Sequence, residues 1–115
     1  GGSMAEARCR ELRVPLRSHT ELLALFAICS HGMERMFADG GEGRHDSPGF
    51  LVGFSTLWKI WSAADSMGLG RMDLDGMENR MMFLANLLPE FSGYADVDDV
   101  ADFVMTRIAT SHGSL

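Results

Sequence analysis

Residues 47–69, SPGFLVGFSTLWKIWSAADSMGL, carry both tryptophans of the chain and only two formal charges, Lys59 and Asp65. Wound as a helix at 100° per residue, this stretch aligns Phe50, Phe54, Leu57, Trp61 and Ala64 in one stripe. Leu51 and Trp58 widen the stripe on one side, Ile60 and Met67 on the other, which leaves Ser55, Lys59, Ser62 and Ser66 as the expected wet strip. A helix with so wide an apolar arc needs neighbours on at least two sides, so it is the pillar and other helices are its wrapping. Ser47 is the expected N-cap and Pro48 the first helical residue, where the missing amide costs nothing. Gly68 and Gly70 mark the end, because glycine enters the left-handed C-cap conformation without a side-chain clash. Gly49 and Gly53, four apart beside Ile60, allow close approach along that edge. Lys59, Asp65, the serines and the glycines interrupt the stretch too often for a membrane span.

With 115 residues, 46% of them hydrophobic, the chain supports one domain around one core and needs no disulfide to hold it. Gly1, Gly2 and Ser3 read as a cloning remnant before Met4, residues 4–17 as a basic arm, and residues 18–112 as a single helical domain. No charged start with an apolar run and a small-residue cleavage site follows Met4, which argues against secretion. The two cysteines, Cys9 and Cys29, make neither a disulfide framework nor a metal-binding spacing. Cys29 is expected as a small core residue and Cys9 as a free thiol, both in keeping with a reducing cytoplasm.

The first strong helix is expected from about residue 19 to about residue 38, opened by a capping box of Ser18 and Glu21. Its stripe is Leu22, Leu25, Phe26, Cys29, Met33, Met36 and Phe37, while Ala24, Ala27 and Ile28 form a second, small apolar face. The glycine-rich linker 38–46 reads as a loop. A third helix is expected to begin within 72–75, capped by Asp73 or by an Asp75–Glu78 box, and to end near Leu88 because Pro89 forbids continuation. Its stripe is Met77, Met81, Leu84, Leu87 and Leu88. Asp96 caps a fourth helix to about Thr110, with Val97, Val100, Ala101, Val104, Met105 and Ile108 inward. The class is therefore all-α: a small four-helix bundle or irregular helical domain around the 47–69 helix, with an N-terminal arm.

The net charge of −6 is unevenly spread. Four arginines against Glu6 and Glu11 leave the first twenty residues at +2, so the remainder carries −8. Such a body repels nucleic acid and suits an electropositive partner. The acidic patch Asp96, Asp98, Asp99 and Asp102 is the expected partner-binding surface; Ala24, Ala27, Ile28, Met82, Phe83 and Phe103 lie off the main stripes and are candidate interface residues. As plain structure, the same acids are a cap and a solvated face, and the same apolar residues a second buried face.

An alternative site is a pocket with Trp58 and Trp61 as walls, Asp65 as a desolvated carboxylate between them, and His31 from the neighbouring helix. The structural counter-reading is that Asp65 pairs with Arg71 or Arg80, or that the helix has left the core by then. His31 and Glu34 share a face at metal-ligand spacing, but two ligands fall short of a shell, so no metal is expected. His45, Asp46 and Ser47 are explained by a loop and a cap rather than by nucleophilic catalysis, and neither DLDGMEN nor DVDD has EF-hand spacing. No cofactor motif is present. These features point to a non-enzymatic, cytoplasmic protein-protein interaction module, a small bacterial or phage regulator or inhibitor acting as a homodimer; the competing class is a ligand-binding or enzymatic helical domain.

Overall fold

A computed structural model describes residues 13–40, 48–88, 91, 93, 94 and 96–110. Four helices follow one another: α1 (His19–Gly40), α2 (Pro48–Ser66), α3 (Arg71–Ala85) and α4 (Val97–Thr110). Among the described residues there is no strand, and no helix is long and apolar enough to cross a membrane. The fold is a small all-α bundle.

The pillar is α2, which packs against each of the other three helices. Phe50, Phe54, Leu57 and Ala64 are completely buried, and Leu51 and Ile60 nearly so. Against them lie Leu22, Phe26 and Met33 of α1, Leu74, Met77, Met81, Leu84 and Ala85 of α3, and Val97, Val100, Ala101 and Val104 of α4. The glycine edge is filled by methionine: a Cβ at Gly53 would stand 3.0 Å from Sδ of Met33, and one at Gly49 would stand 3.3 Å from Cε of Met36. A flexible thioether suits a gap of that shape.

The ends of the helices are set by local chemistry. The Glu21 amide donates to Ser18 Oγ at 3.1 Å, as a capping box requires, but the Glu21 carboxylate accepts from the amide of Arg17 rather than from that of Ser18. At the end of α2, Leu69 N–H donates to the Ala64 carbonyl at 3.0 Å and Gly68 N–H to that of Asp65 at 3.1 Å. These are the two bonds of a Schellman motif, with Gly68 at φ 81° and the buried Leu69 closing it. His19 Nε2 reaches the Met67 carbonyl at 3.2 Å and ties this turn to the start of α1. Gly68→Ala is expected to cost about 1–2 kcal/mol, because a Cβ clashes in the left-handed region; thermal denaturation followed by far-ultraviolet circular dichroism measures it.

Several expectations need correction. Ser55 is buried, not wet, because its hydroxyl donates to the Val52 carbonyl at 3.0 Å and so hides its polarity in the helix's own backbone. The exposed strip runs instead through Val52, Lys59, Ala63 and Ser66. Helix α3 starts at Arg71 with Gly70 as a cap that offers no side chain, and Asp73 is not the N-cap. Asp75 and Glu78 are taken by Arg71, at 2.8 and 2.5 Å, rather than forming a box. These bonds raise the Arg71 guanidinium above its ordinary value, the Asp75 hydrogen bond being the largest cause. The helix ends at Ala85, three residues earlier than expected, and Leu87 is exposed while Leu88 stays buried in the following turn. Cys29 is half-buried rather than a core residue. Ser47, Pro89, Cys9 and the 41–46 portion of the linker lie outside the described residues, as does the side chain of Phe37.

Candidate functional site

The acidic end of α4 is assembled from one capping event. Asp96 takes the N-cap position and its carboxylate accepts the Asp98 amide at 3.0 Å, so that Asp98 and Asp99 fall in the first turn and Asp102 one turn on. All four are exposed, as expected, while Val97, Val100, Ala101 and Val104 face the pillar. Carboxylates in the first turn lie where the helix dipole favours negative charge.

An aromatic chain anchors this end to the core. Phe50 of α2 stacks on Phe91 with ring centroids 5.3 Å apart; Phe91 in turn receives Tyr94 and Phe103 edge to face, at 5.1 and 5.3 Å. Phe91 is buried although it sits in a turn, held by its amide on the Leu88 carbonyl and by the Tyr94 amide on its own. From this floor Tyr94 and Phe103 rise half-buried into an open groove of about 910 Å³, shared with Asp99, Asp102, Thr106 and Arg107. The Arg107 guanidinium lies over the Phe103 ring, 5.0 Å from its centroid. The groove thus combines aromatic faces that accept a cation with carboxylates that attract one. Asp99, Asp102 and Phe103 are candidates from the sequence, whereas Tyr94 and Phe91 emerge only in the fold. Two aromatics in the short turn 89–95 were the signal, since a solvated turn has no need of them.

The other candidate interface residues do not share one face. Ala24, Ala27 and Ile28 are exposed on α1, Ile28 by 69%, and Ala27 borders a trough of about 320 Å³ between α1 and α3 that Met72, Asp73, Gly76 and Arg80 also line. Met82 packs partly against the core, and Phe83 is exposed under the Arg80 guanidinium.

The alternative pocket does not assemble. Trp58 and Trp61 stack on each other at 5.1 Å and are half-buried, with the Trp61 Nε1 buried and without an acceptor. Asp65 stands exposed, so the desolvated carboxylate is overturned, and none of the three residues lines the α4 groove or either trough beside α1. Trp58 and Trp61 lie at the half-buried edge of the apolar arc of α2, next to the exposed Asp65. His31 is elsewhere, on the α1–α3 face. Arg80 of α3 donates to His31 Nδ1 and Ser30 Oγ, each at 3.3 Å, and pairs with Glu34, so the face that His31 and Glu34 share is part of an interhelical clasp. Among the described residues no group of three His, Cys, Asp or Glu gathers that could hold a metal ion.

Compared with protein-family models, with curated proteins and with solved structures, the chain matches none of them.

Proposed function

We propose that the chain is a non-enzymatic protein-protein interaction module, a small bacterial or phage regulator or inhibitor of the cytoplasm, and that the α4 groove receives a basic segment of its partner. One observation carries this reading: exposed carboxylates and aromatic rings meet in the same groove, Asp99 and Asp102 beside Tyr94 and Phe103. Arginine and lysine side chains bring both properties such a groove recognises, a charge for the carboxylates and a cation or flat apolar stem for the rings. The chain's own Arg107 already uses the Phe103 ring in this way. The net charge of −6 adds long-range attraction for a basic partner.

The reading predicts that a short probe peptide rich in arginine and lysine binds the full chain in a salt-sensitive manner. Reversing Asp98, Asp99 and Asp102 to lysine weakens that binding by about tenfold or more, as expected for loss of several facing charges. Fluorescence anisotropy of the labelled peptide checks it, and an unchanged affinity in a variant with intact helical dichroism removes the acidic surface from the proposal. Homodimerisation belongs to the same proposal, supported by the exposed Ala24, Ala27 and Ile28 beside Met72, which is 87% exposed. Light scattering on a sizing column is expected to give twice the 12.6 kDa chain mass. A monomer mass with Ile28→Lys leaving the elution unchanged counts against the dimer.

A further inference from the structure

We propose that the trough between the arm, α1 and α2 binds an unbranched aliphatic carboxylate, with Lys59 as the group that recognises its head. The trough encloses about 410 Å³, within the range of small-ligand sites at roughly 300–1,000 Å³. Its walls are mostly aliphatic, with Val14 and Leu16 from the arm, Leu22 and Leu25 from α1 and Ile60 from α2, and the Thr56 hydroxyl that also lines it donates to the Val52 carbonyl at 2.8 Å. Lys59, the single lysine of the chain, also lines it, exposed, on the same side as Ile60. No ion pair forms at Lys59 among the described residues, whereas Arg71 and Arg80 are each held by carboxylates. The charge distribution decides the ligand class. Asp99 and Asp102 line the α4 groove and Asp73 the α1–α3 trough, whereas no acid is among the described residues that line this one. Hydrocarbon walls favour a flexible alkyl chain, and one ammonium with no ion-pair partner among the described residues favours an anionic end group. A neutral alcohol would gain only the first of these, and an alkylammonium would be repelled by the second.

The test is a titration of the full chain with decanoate, decan-1-ol and decyltrimethylammonium below their micelle-forming concentrations, with far-ultraviolet dichroism recorded throughout to follow the fold. Decanoate is expected to bind saturably, about threefold or more tighter than decan-1-ol, which is the worth of one partly exposed charge pair, with decyltrimethylammonium weakest. Lys59→Met should abolish the preference for acid over alcohol while leaving the alcohol affinity unchanged, and Lys59→Arg should retain it. Both sit on an exposed position, so folding is preserved. Val14→Asp, at a position 61% exposed, should weaken all binding by placing an acid in the wall. Cys29 lines the same trough, so peptide-level mass spectrometry should find its alkylation slowed by decanoate, separately from Cys9. Absence of saturable decanoate binding, or an acid preference that survives in Lys59→Met, overturns the proposal. Either result leaves the α4 groove untouched, since the two sites share no residue.

Discussion

Phe50→Ala is expected to remove about 3–5 kcal/mol of stability, the usual cost of emptying a buried aromatic site. Phe50 is fully buried and joins two networks: its ring lies 5.7 Å from that of Phe54 along the pillar and 5.3 Å from that of Phe91 below the groove. Truncation therefore loses the transfer energy of the ring and the packing of both neighbours, and the surroundings have little room to collapse because Phe54 and Leu57 are themselves without exposed surface. Against a total of about 5–15 kcal/mol for an ordinary domain, this leaves the protein marginal. Urea denaturation followed by far-ultraviolet dichroism measures the loss as a fall in midpoint. Because Tyr94 and Phe103 rest on Phe91, the same variant should also weaken peptide binding at the groove under conditions where it remains folded. A midpoint within measurement error of the parent chain contradicts the place given to Phe50.

The second large effect separates folding from recognition on a single helix. Val100 is fully buried on α4 and its predecessor Asp99 is exposed, so neighbouring residues test the two faces. Val100→Asp places a carboxylate against the pillar, and among the described residues no basic side chain is buried that could pair with it. An unpaired buried charge costs several kcal/mol, about 4 or more here, and the chain should be largely unfolded at neutral pH. Reversing Asp98, Asp99 and Asp102 costs far less. Asp98 and Asp99 lose a favourable position in the first turn, at about 0.3–1 kcal/mol each, and Asp102 is an ordinary exposed site. Proton spectra distinguish the outcomes: collapsed dispersion for Val100→Asp, and dispersed resonances for the triple variant. If Val100→Asp keeps a native spectrum, α4 does not pack as described.

The parts of the fold that were legible in the sequence are those governed by local chemistry. Ser18 with Glu21, Gly68 before a buried leucine, and Asp96 before an apolar-periodic run each determine a helix end within a few residues; the last two form the bonds expected of them, and the Ser18–Glu21 pair forms half of its box, the Glu21 carboxylate accepting from Arg17 instead. The pillar was legible because its apolar arc is too wide for any surface position. What failed was whatever depended on a distant partner. The start of α3 was misplaced because Asp75 and Glu78, good caps by pattern, are drawn to Arg71 instead. Periodicity puts Ser55 in water because it counts a hydroxyl as polar even when that hydroxyl bonds back to its own helix. Angle alone puts Asp65 among aromatics. Angles say nothing of where covering helices stop, and beside Trp58 and Trp61 the covering is incomplete. The candidate site was half legible: its carboxylates follow from sequence, but Tyr94 enters through the Phe91 turn, and periodicity has no purchase on a turn. Ser30 is the comparable signal on α1, a serine within an apolar row whose partner, Arg80, lies fifty residues away.

The most direct test of the α4 groove as the contact surface is a paired capture from the native host, with the full chain and its Asp98→Lys, Asp99→Lys, Asp102→Lys variant as baits, read by quantitative mass spectrometry. Far-ultraviolet dichroism first establishes that both baits are equally helical. The predicted result is a protein with a basic surface that is retained by the parent chain and depleted about tenfold or more on the variant. Equal recovery of the same proteins on both baits would contradict the account.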